Sequence, residues 1–356
     1  MAGPRLVLAG VALPLLAFAA GAGAASGPRV KNTNGWIGAI AMDGPRVAYD
    51  VEPQAGGCNR LFVWNVLTEG GALVSGRGTC DANSTSTGGG VVRVAVAGTR
   101  VAWIVNLGGN TESSDDLYTA SLPRPREKRL ASALRTGDVD CALAGRSIGG
   151  LVGDGDLLAY NTWTSAAASP GDPSSCAVAP TAGSLRRIGG SSTAELAGGT
   201  GTLVAQAADL GRIAVLHEDG TVALYSASGL LLQEIEPSSA REVALRKDFL
   251  VVLTQAKTLE IYNANTGALV KTRPVPGGAA RLDVHSGIAV YVVGRSVHAL
   301  RLTTGKDVVV ARAPRAVLDV EIEAAGAVYA FNTVRGGKDV GKVAFLPLAR
   351  VAAAVS

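Results

Sequence analysis

Short runs in which apolar and polar residues alternate, each about five to eight residues long and closed by glycine, asparagine or proline, recur along almost the whole chain; that period of two predicts strands rather than helices. Residues 257–276, KTLEIYNANTGALVKTRPVP, show the pattern most clearly. Leu259, Ile261 and Tyr262 begin an apolar strand, Asn263-Ala264-Asn265-Thr266-Gly267 supplies a turn, and residues 268–275 carry the chain back. Asn and Gly suit such a turn because they tolerate positive φ at little steric cost. Residues 221–237 and 296–314 have the same shape, at intervals of about forty residues, the period of a four-stranded propeller blade.

The second strand of each unit sets the register. Gly44-Pro45-Arg46-Val47-Ala48-Tyr49 matches Gly98-Thr99-Arg100-Val101-Ala102-Trp103 and Gly155-Asp156-Leu157-Leu158-Ala159-Tyr160, with weaker copies at 211–215, 248–252, 287–291 and 326–330. The early copies lie about 55 residues apart and the late ones about 38, so the first units carry insertions. These are residues 54–59, 81–90, 108–116, 135–145 and 165–175, each rich in Gly, Ser, Asn, Asp or Pro as loops are. The fold expected is all-β: one β-propeller domain over residues 26–356, with seven blades of four antiparallel strands at roughly 36–80, 90–134, 145–190, 202–237, 241–276, 280–314 and 317–355. Two segments compete for the closing outer strand, residues 29–31 and residues 349–355.

Composition adds a compartment. Arg5, the apolar stretch 6–20 and the small residues Ala22-Gly23-Ala24 have the order of a secretory signal peptide ending near residue 25. The apolar run is short and broken by Pro14, which argues against a membrane anchor. No later segment is a continuous apolar span. An exported monomer, in the periplasm, at the cell envelope or secreted, is expected. Of 356 residues only 17% are charged, and the net charge of +4 falls by one with Arg5, too little to argue for a nucleic-acid partner. Four cysteines in an exported chain predict two disulfides with three possible pairings. The blade register selects Cys58–Cys80 and Cys141–Cys176, because each pair falls at neighbouring strand ends; each bridge contributes about 3 kcal/mol if unstrained.

The search for chemistry yields little. His217, His285 and His298 have no metal-ligand spacing, no G-x-S-x-G elbow occurs, and Asp154-Gly155-Asp156 reads as a turn without further calcium ligands. Asn83-Ser84-Thr85 satisfies the glycosylation sequon, read here as a surface loop. No catalytic residue, metal or cofactor is assigned. Trp36, Trp64 and Trp103 are read as strand residues. The candidate partner contacts are Asp115 and Asp116, beside Glu112 in an inserted loop, Trp163 where a strand meets the longest insertion, and Asp172 within that insertion.

Units such as LEIYNANTGALVKTRPVP and VALYSASGLLLQEIEP make the chain resemble the exported bacterial β-propellers of the WD40-like, TolB-like and quinoprotein-like kind. The Gly-His and Trp-Asp signatures are missing, as is a quinone-binding constellation, so the resemblance implies an interaction module of the cell envelope, with a protein or glycan partner, and not a dehydrogenase. The alternative is a propeller lyase or glycosidase with its site at the central channel, for which Asp283, Asp319 and Glu321 on inner strands are the candidates.

Overall fold

The computed structural model describes residues 28–53, 59–75, 88–137, 142–167 and 177–356. The expected signal peptide, the four cysteines with both expected disulfides, Asp172 and the sequon lie outside the described residues.

The chain enters through β1 (Arg29–Asn32) and β2 (Gly35–Trp36). With β2, the strands β3 (Ile40–Asp43), β4 (Arg46–Pro53), β5 (Arg60–Asn65) and β6 (Gly71–Ser75) form a five-stranded sheet. Next come β7 (Gly88–Ala97), β8 (Arg100–Gly108), β9 (Glu112–Ser121), β10 (Lys128–Thr136), β11 (Ala144–Asp154), β12 (Leu157–Ala167), β13 (Val178–Ile188) and β14 (Thr193–Gly199), all in one eight-stranded sheet. Two four-stranded sheets follow: β15 (Leu203–Asp209), β16 (Arg212–His217), β17 (Val222–Ser226) and β18 (Leu231–Ile235), then β19 (Ala240–Arg246), β20 (Phe249–Thr254), β21 (Thr258–Asn263) and β22 (Leu269–Pro274). A third contains β23 (Ala279–His285), β24 (Ile288–Val293), β25 (Ser296–Arg301) and β26 (Asp307–Arg312). The last joins β27 (Val317–Glu323), β28 (Gly326–Arg335) and β29 (Lys338–Pro347) to β1, and α1 (Leu348–Ala354) ends the chain.

The all-β propeller expectation holds, but the count of seven four-stranded blades does not. Among the described residues there are five separate blades, of four or five strands, and one continuous eight-stranded sheet. The continuity comes from two residue pairs, Arg135 with Gly145 and Thr136 with Ala144, which turn a connection read as a loop into strand. Gly145 permits this: its φ is +132°, and a Cβ there would lie 2.4 Å from the Leu134 carbonyl oxygen.

Core forms between neighbouring sheets, because each sheet presents alternate residues to the one before and the one after. One cluster joins Leu61 and Val63 on β5 to Val101 and Trp103 on β8, and another joins Val290 and Val297 to Val320 and Ile322. Trp64 and Trp103 are buried strand residues as expected, whereas Trp36, on β2, is 45% exposed. Among the described residues no helix is long and apolar enough to cross a membrane.

Two further expectations are corrected. Residues 108–116 are not an inserted loop: β8 runs to Gly108, β9 starts at Glu112, and Asp115 and Asp116 are 4% and 8% exposed within β9. Asp115 accepts the Ile148 amide across the sheet at 3.0 Å and faces Arg135 at 3.4 Å, and Asp116 faces Arg129 at 3.6 Å. Both carboxylates are committed inside the protein.

Of the two closing candidates, the N-terminal segment is the outer strand: Arg29–Asn32 pairs with β29, while residues 348–354 are helical. Thr33 Oγ1 donates to Gly35 O and accepts from Gly341 N at 3.0 Å. Beside it, Asn332 closes the ring with both ends of its amide, accepting from Ile37 N and donating to Ile37 O, each at 2.9 Å. Asn332→Ala leaves both Ile37 groups without partners and is expected to lower stability by about 2 kcal/mol in urea unfolding. Asn332→Asp, which keeps the acceptor alone, should fall between the two.

Candidate functional site

The inner strands β3, β7, β11, β15, β19, β23 and β27 surround a central cavity of about 330 Å³. Each ends in a tight turn into the next strand, and the last paired residue of each can be read from the register: Asp43, Ala97, Asp154, Asp209, Arg246, His285 and Glu323. These residues form the mouth on the turn side. Three of the acids bind the turn of the following inner strand. Asp43 accepts the Gly98 amide, Asp154 the Leu210 amide at 2.9 Å, and Asp209 the Lys247 amide at 2.5 Å. The three donors have positive φ, +57°, +48° and +50°. For Leu210 and Lys247 that conformation costs about 1–2 kcal/mol, which the carboxylate hydrogen bond offsets.

Two guanidinia serve this mouth: Arg212 Nη2 lies 3.4 Å from Asp209 Oδ2, and Arg246 is shared more widely. Arg246 Nη1 lies 2.9 Å from Glu323 Oε1, 3.2 Å from Asp209 Oδ1 and 3.3 Å from Asp154 Oδ1. His285 Nδ1 is 3.7 Å from Glu323 Oε2, and burial together with Arg246 pulls the imidazole down to about 4, so it is neutral at ordinary pH.

Deeper in the channel the acids again bind the neighbouring main chain. Glu242 accepts from Leu282 N at 3.0 Å and Asp283 from Ile322 N at 2.7 Å. The cost is desolvation. Burial pushes Asp283 up to about 7, with main-chain donors and Arg246 pulling the other way, and pushes Asp319 up to about 6 against Arg281. Glu321 rises well above the usual range through burial and then the charges of Asp283, Asp319 and Glu323. Burial lifts Glu323 to about 8 despite Arg246.

Asp283, Asp319 and Glu321 therefore do converge on the channel, as the alternative reading of the sequence expects. Arg93, Arg241, Arg246, Arg281, Glu242 and Glu323 join them and were missed. The other side of the channel is small: Ala39, Ala41, Ala95, Gly150, Ala205 and Ala207. The combination places proton-holding acids beside fixed cations, a polar environment for a small charged group.

A second concavity, about 490 Å³, lies at the opposite end of the ring between β4 and the β7–β8 hairpin. Amide and acid side chains line it, including Asp50, Glu52, Asn59, Asn106 and Asn110, and Gly89, Gly90, Gly108 and Gly109 leave its walls open. Asp50 accepts from Gly38 N, Ala39 N and Asn59 Nδ2, and burial raises it to about 6. Trp163 stands on β12 opposite Ser147 and Gly183 and covers Gly149, where an added Cβ would meet the indole at 2.6 Å.

A carboxyl whose pKa rises on folding keeps a proton that the unfolded chain releases, so its contribution is present at low pH and lost as pH climbs through the raised value. That window closes near 6 for Asp319, near 7 for Asp283 and near 8 for Glu323. His285 acts in the opposite sense, its contribution being lost as pH falls from 6.5 toward 4. Above pH 6.5 only the acids remain, and the melting temperature is expected to fall toward pH 8.5. Glu321→Gln should flatten that slope and raise the melting temperature at pH 8 by about 2–4 °C, read by calorimetry across the pH series.

No protein-family model matches the sequence. None of the curated proteins matches it either. Solved structures do match, over nearly the whole chain. A chain of the mitotic checkpoint complex superposes with a TM-score of 0.53 at 14% identity, over 98% of both chains. The WD40 β-propeller domain of Doa1 superposes with a TM-score of 0.51 at 12% identity, over 92% of this chain and 97% of its own. The computationally designed Ika8 protein gives 0.50 at 14% identity, over 89% of this chain and 98% of its own. At such identities the likeness is one of fold: the chain is a β-propeller.

Proposed function

We propose that this chain is an extracytoplasmic interaction module, exported by its first 25 residues to the bacterial cell envelope, that engages a protein or glycan partner with the end of the ring opposite the inner-strand turns. The observation that carries this reading is the overhang of the eight-stranded sheet. Strands β11, β12 and β13 have 11 residues each, against 5 or 6 in β16, β17 and β18. At about 3.3 Å per residue the longer strands stand roughly 15 Å proud of the ring. They make a wall at the same end as the amide-lined groove beside β4. A wall next to an open polar groove suits a protein or glycan surface better than a small molecule.

The second reading, a lyase or glycosidase acting in the channel, is favoured by the convergence of Asp283, Asp319 and Glu321 with Arg93, Arg241 and Arg281. Against it, the Asp283 carboxylate is already shared between the amides of Ile322 and Val284. One experiment separates the two. Replacing residues 165–175 by a Gly-Ser linker should abolish capture of the partner from a cell-envelope extract while shifting the melting temperature by less than about 2 °C, in keeping with a surface change. Asp283→Asn with Glu321→Gln should leave capture intact. Capture lost only in the channel variant would transfer the site to the channel.

A further inference from the structure

The turn-side mouth of the channel plays no part in the proposed partner surface, and its charge does not balance. Asp43, Asp154, Asp209 and Glu323 meet there against two guanidinia: Arg246 touches Asp154, Asp209 and Glu323, and Arg212 touches Asp209. One oxygen from each of Asp43, Asp154 and Glu323 lies within 4.8 Å of the others. That span is what an ion with metal–oxygen bonds of about 2.4 Å can bridge. The three residues come from β3, β11 and β27, so the grouping is made by the ring and not by one loop.

Two buried polar atoms, one beside Glu323 and one beside Arg246, lack a hydrogen bond. His285 is 8% exposed, and its Nδ1 has no hydrogen-bond partner although it stands 3.7 Å from Glu323 Oε2. Asp209 is fully buried, and its Oδ1 has the Arg246 guanidinium at 3.2 Å but no hydrogen bond to it. Buried polar atoms are nearly always satisfied; the His285 nitrogen lies against Glu323, one of the three acids, and the Asp209 oxygen lies against the guanidinium that Asp154 and Glu323 share. Arg246 also borders the cavity, so its long side chain has room to withdraw from the mouth.

We propose that Asp43, Asp154 and Glu323 form a site for a hard divalent cation of the calcium class, with Arg246 as the internal cation that competes for the same carboxylates. The three ligand residues themselves offer only carboxylate oxygens, which favour such an ion over softer metals. The competition makes a signed prediction. Removing the arginine strengthens binding of the metal, and removing an acid that the arginine does not touch weakens it. Asp43 is that acid. Asp43→Asn keeps an oxygen that can accept the Gly98 amide, so the turn remains held while the charge is lost.

The test is calorimetric titration of the full chain with calcium chloride at pH 8 in metal-free buffer, with melting curves alongside. The wild type should bind one ion per chain, Arg246→Gln should bind about tenfold tighter, and Asp43→Asn should lose at least about tenfold in affinity with its melting temperature in the absence of calcium unchanged. Binding that survives Asp43→Asn undiminished would overturn the assignment. So would an absence of heat and of any calcium-dependent melting shift in both the wild type and Arg246→Gln. Should Arg246→Gln fail to fold, the comparison of wild type with Asp43→Asn decides alone.

Discussion

The inner strands of this ring are edges over most of their length, β11 pairing with β10 through only two residues, and their outward amides otherwise have no strand to pair with. An unpaired amide inside a protein is costly, and an unprotected edge invites wrong pairing. The structure answers with an acceptor side chain from the neighbouring sheet. Asn332 serves Ile37, Asn161 serves Ala205, Glu242 serves Leu282 and Asp283 serves Ile322, and within the eight-stranded sheet Asp115 on β9 serves Ile148 on β11. On the turn side Asp43, Asp154 and Asp209 do the same for the following turn. These contacts run in one direction around the ring and tie neighbouring sheets together, alongside side-chain burial and arginine contacts such as Arg212 to Lys247 O and Arg241 to Ala279 O. They also bring carboxylates into the channel.

This dual role explains the electrostatics of the interior. Acids placed to satisfy main-chain donors are carried out of water, and several then sit close to one another with too few arginines to neutralise them. The result is a set of carboxyls raised toward neutrality around Arg246 and Arg281. Raised acids in a concave site commonly mark catalysis, but here the same residues have a structural task. That task accounts for their position without invoking a substrate, which is why the overhanging sheet, and not the channel, carries the proposed partner surface.

Much of this was legible in the sequence. The repeated Gly-x-Arg-Val-Ala-aromatic unit located the second strands because its glycine marks the preceding turn and its alternation marks burial. Asp283, Asp319 and Glu321 were visible as acids on inner strands. Residues 108–116 were not, since a Ser- and Asp-rich stretch carries no apolar alternation; only its partners, Arg135 and the amide of Ile148, make it a strand. The fusion of β10 to β11 depends on Gly145 and two pairs of residues, below what a repeat can signal. The mouth residues were readable in principle. Aligning the position before each turn gives Asp43, Ala97, Asp154, Asp209, Arg246, His285 and Glu323, a column whose polarity stands out against the hydrophobic columns beside it.

The ring also separates two loads. Strands β19, β23 and β27 bear most of the charge of the channel, whereas β3, β7, β11 and β15 contribute mainly small and aliphatic residues, with Arg93 on β7 the charged exception. The eight-stranded sheet that includes β7 and β11 has the longest strands, 11 residues in each of β11, β12 and β13. Small residues let those inner strands sit close to their neighbours, and close, dry contact is what a sheet needs when its far ends extend beyond the ring into solvent. The charged arc is held by directed hydrogen bonds from strand to strand, and its last sheet, with 10 residues in each of β28 and β29, is the long one there. Rigid anchoring on one side and a projecting wall on the other give a platform whose binding end can vary in sequence without disturbing the contacts that keep the ring closed.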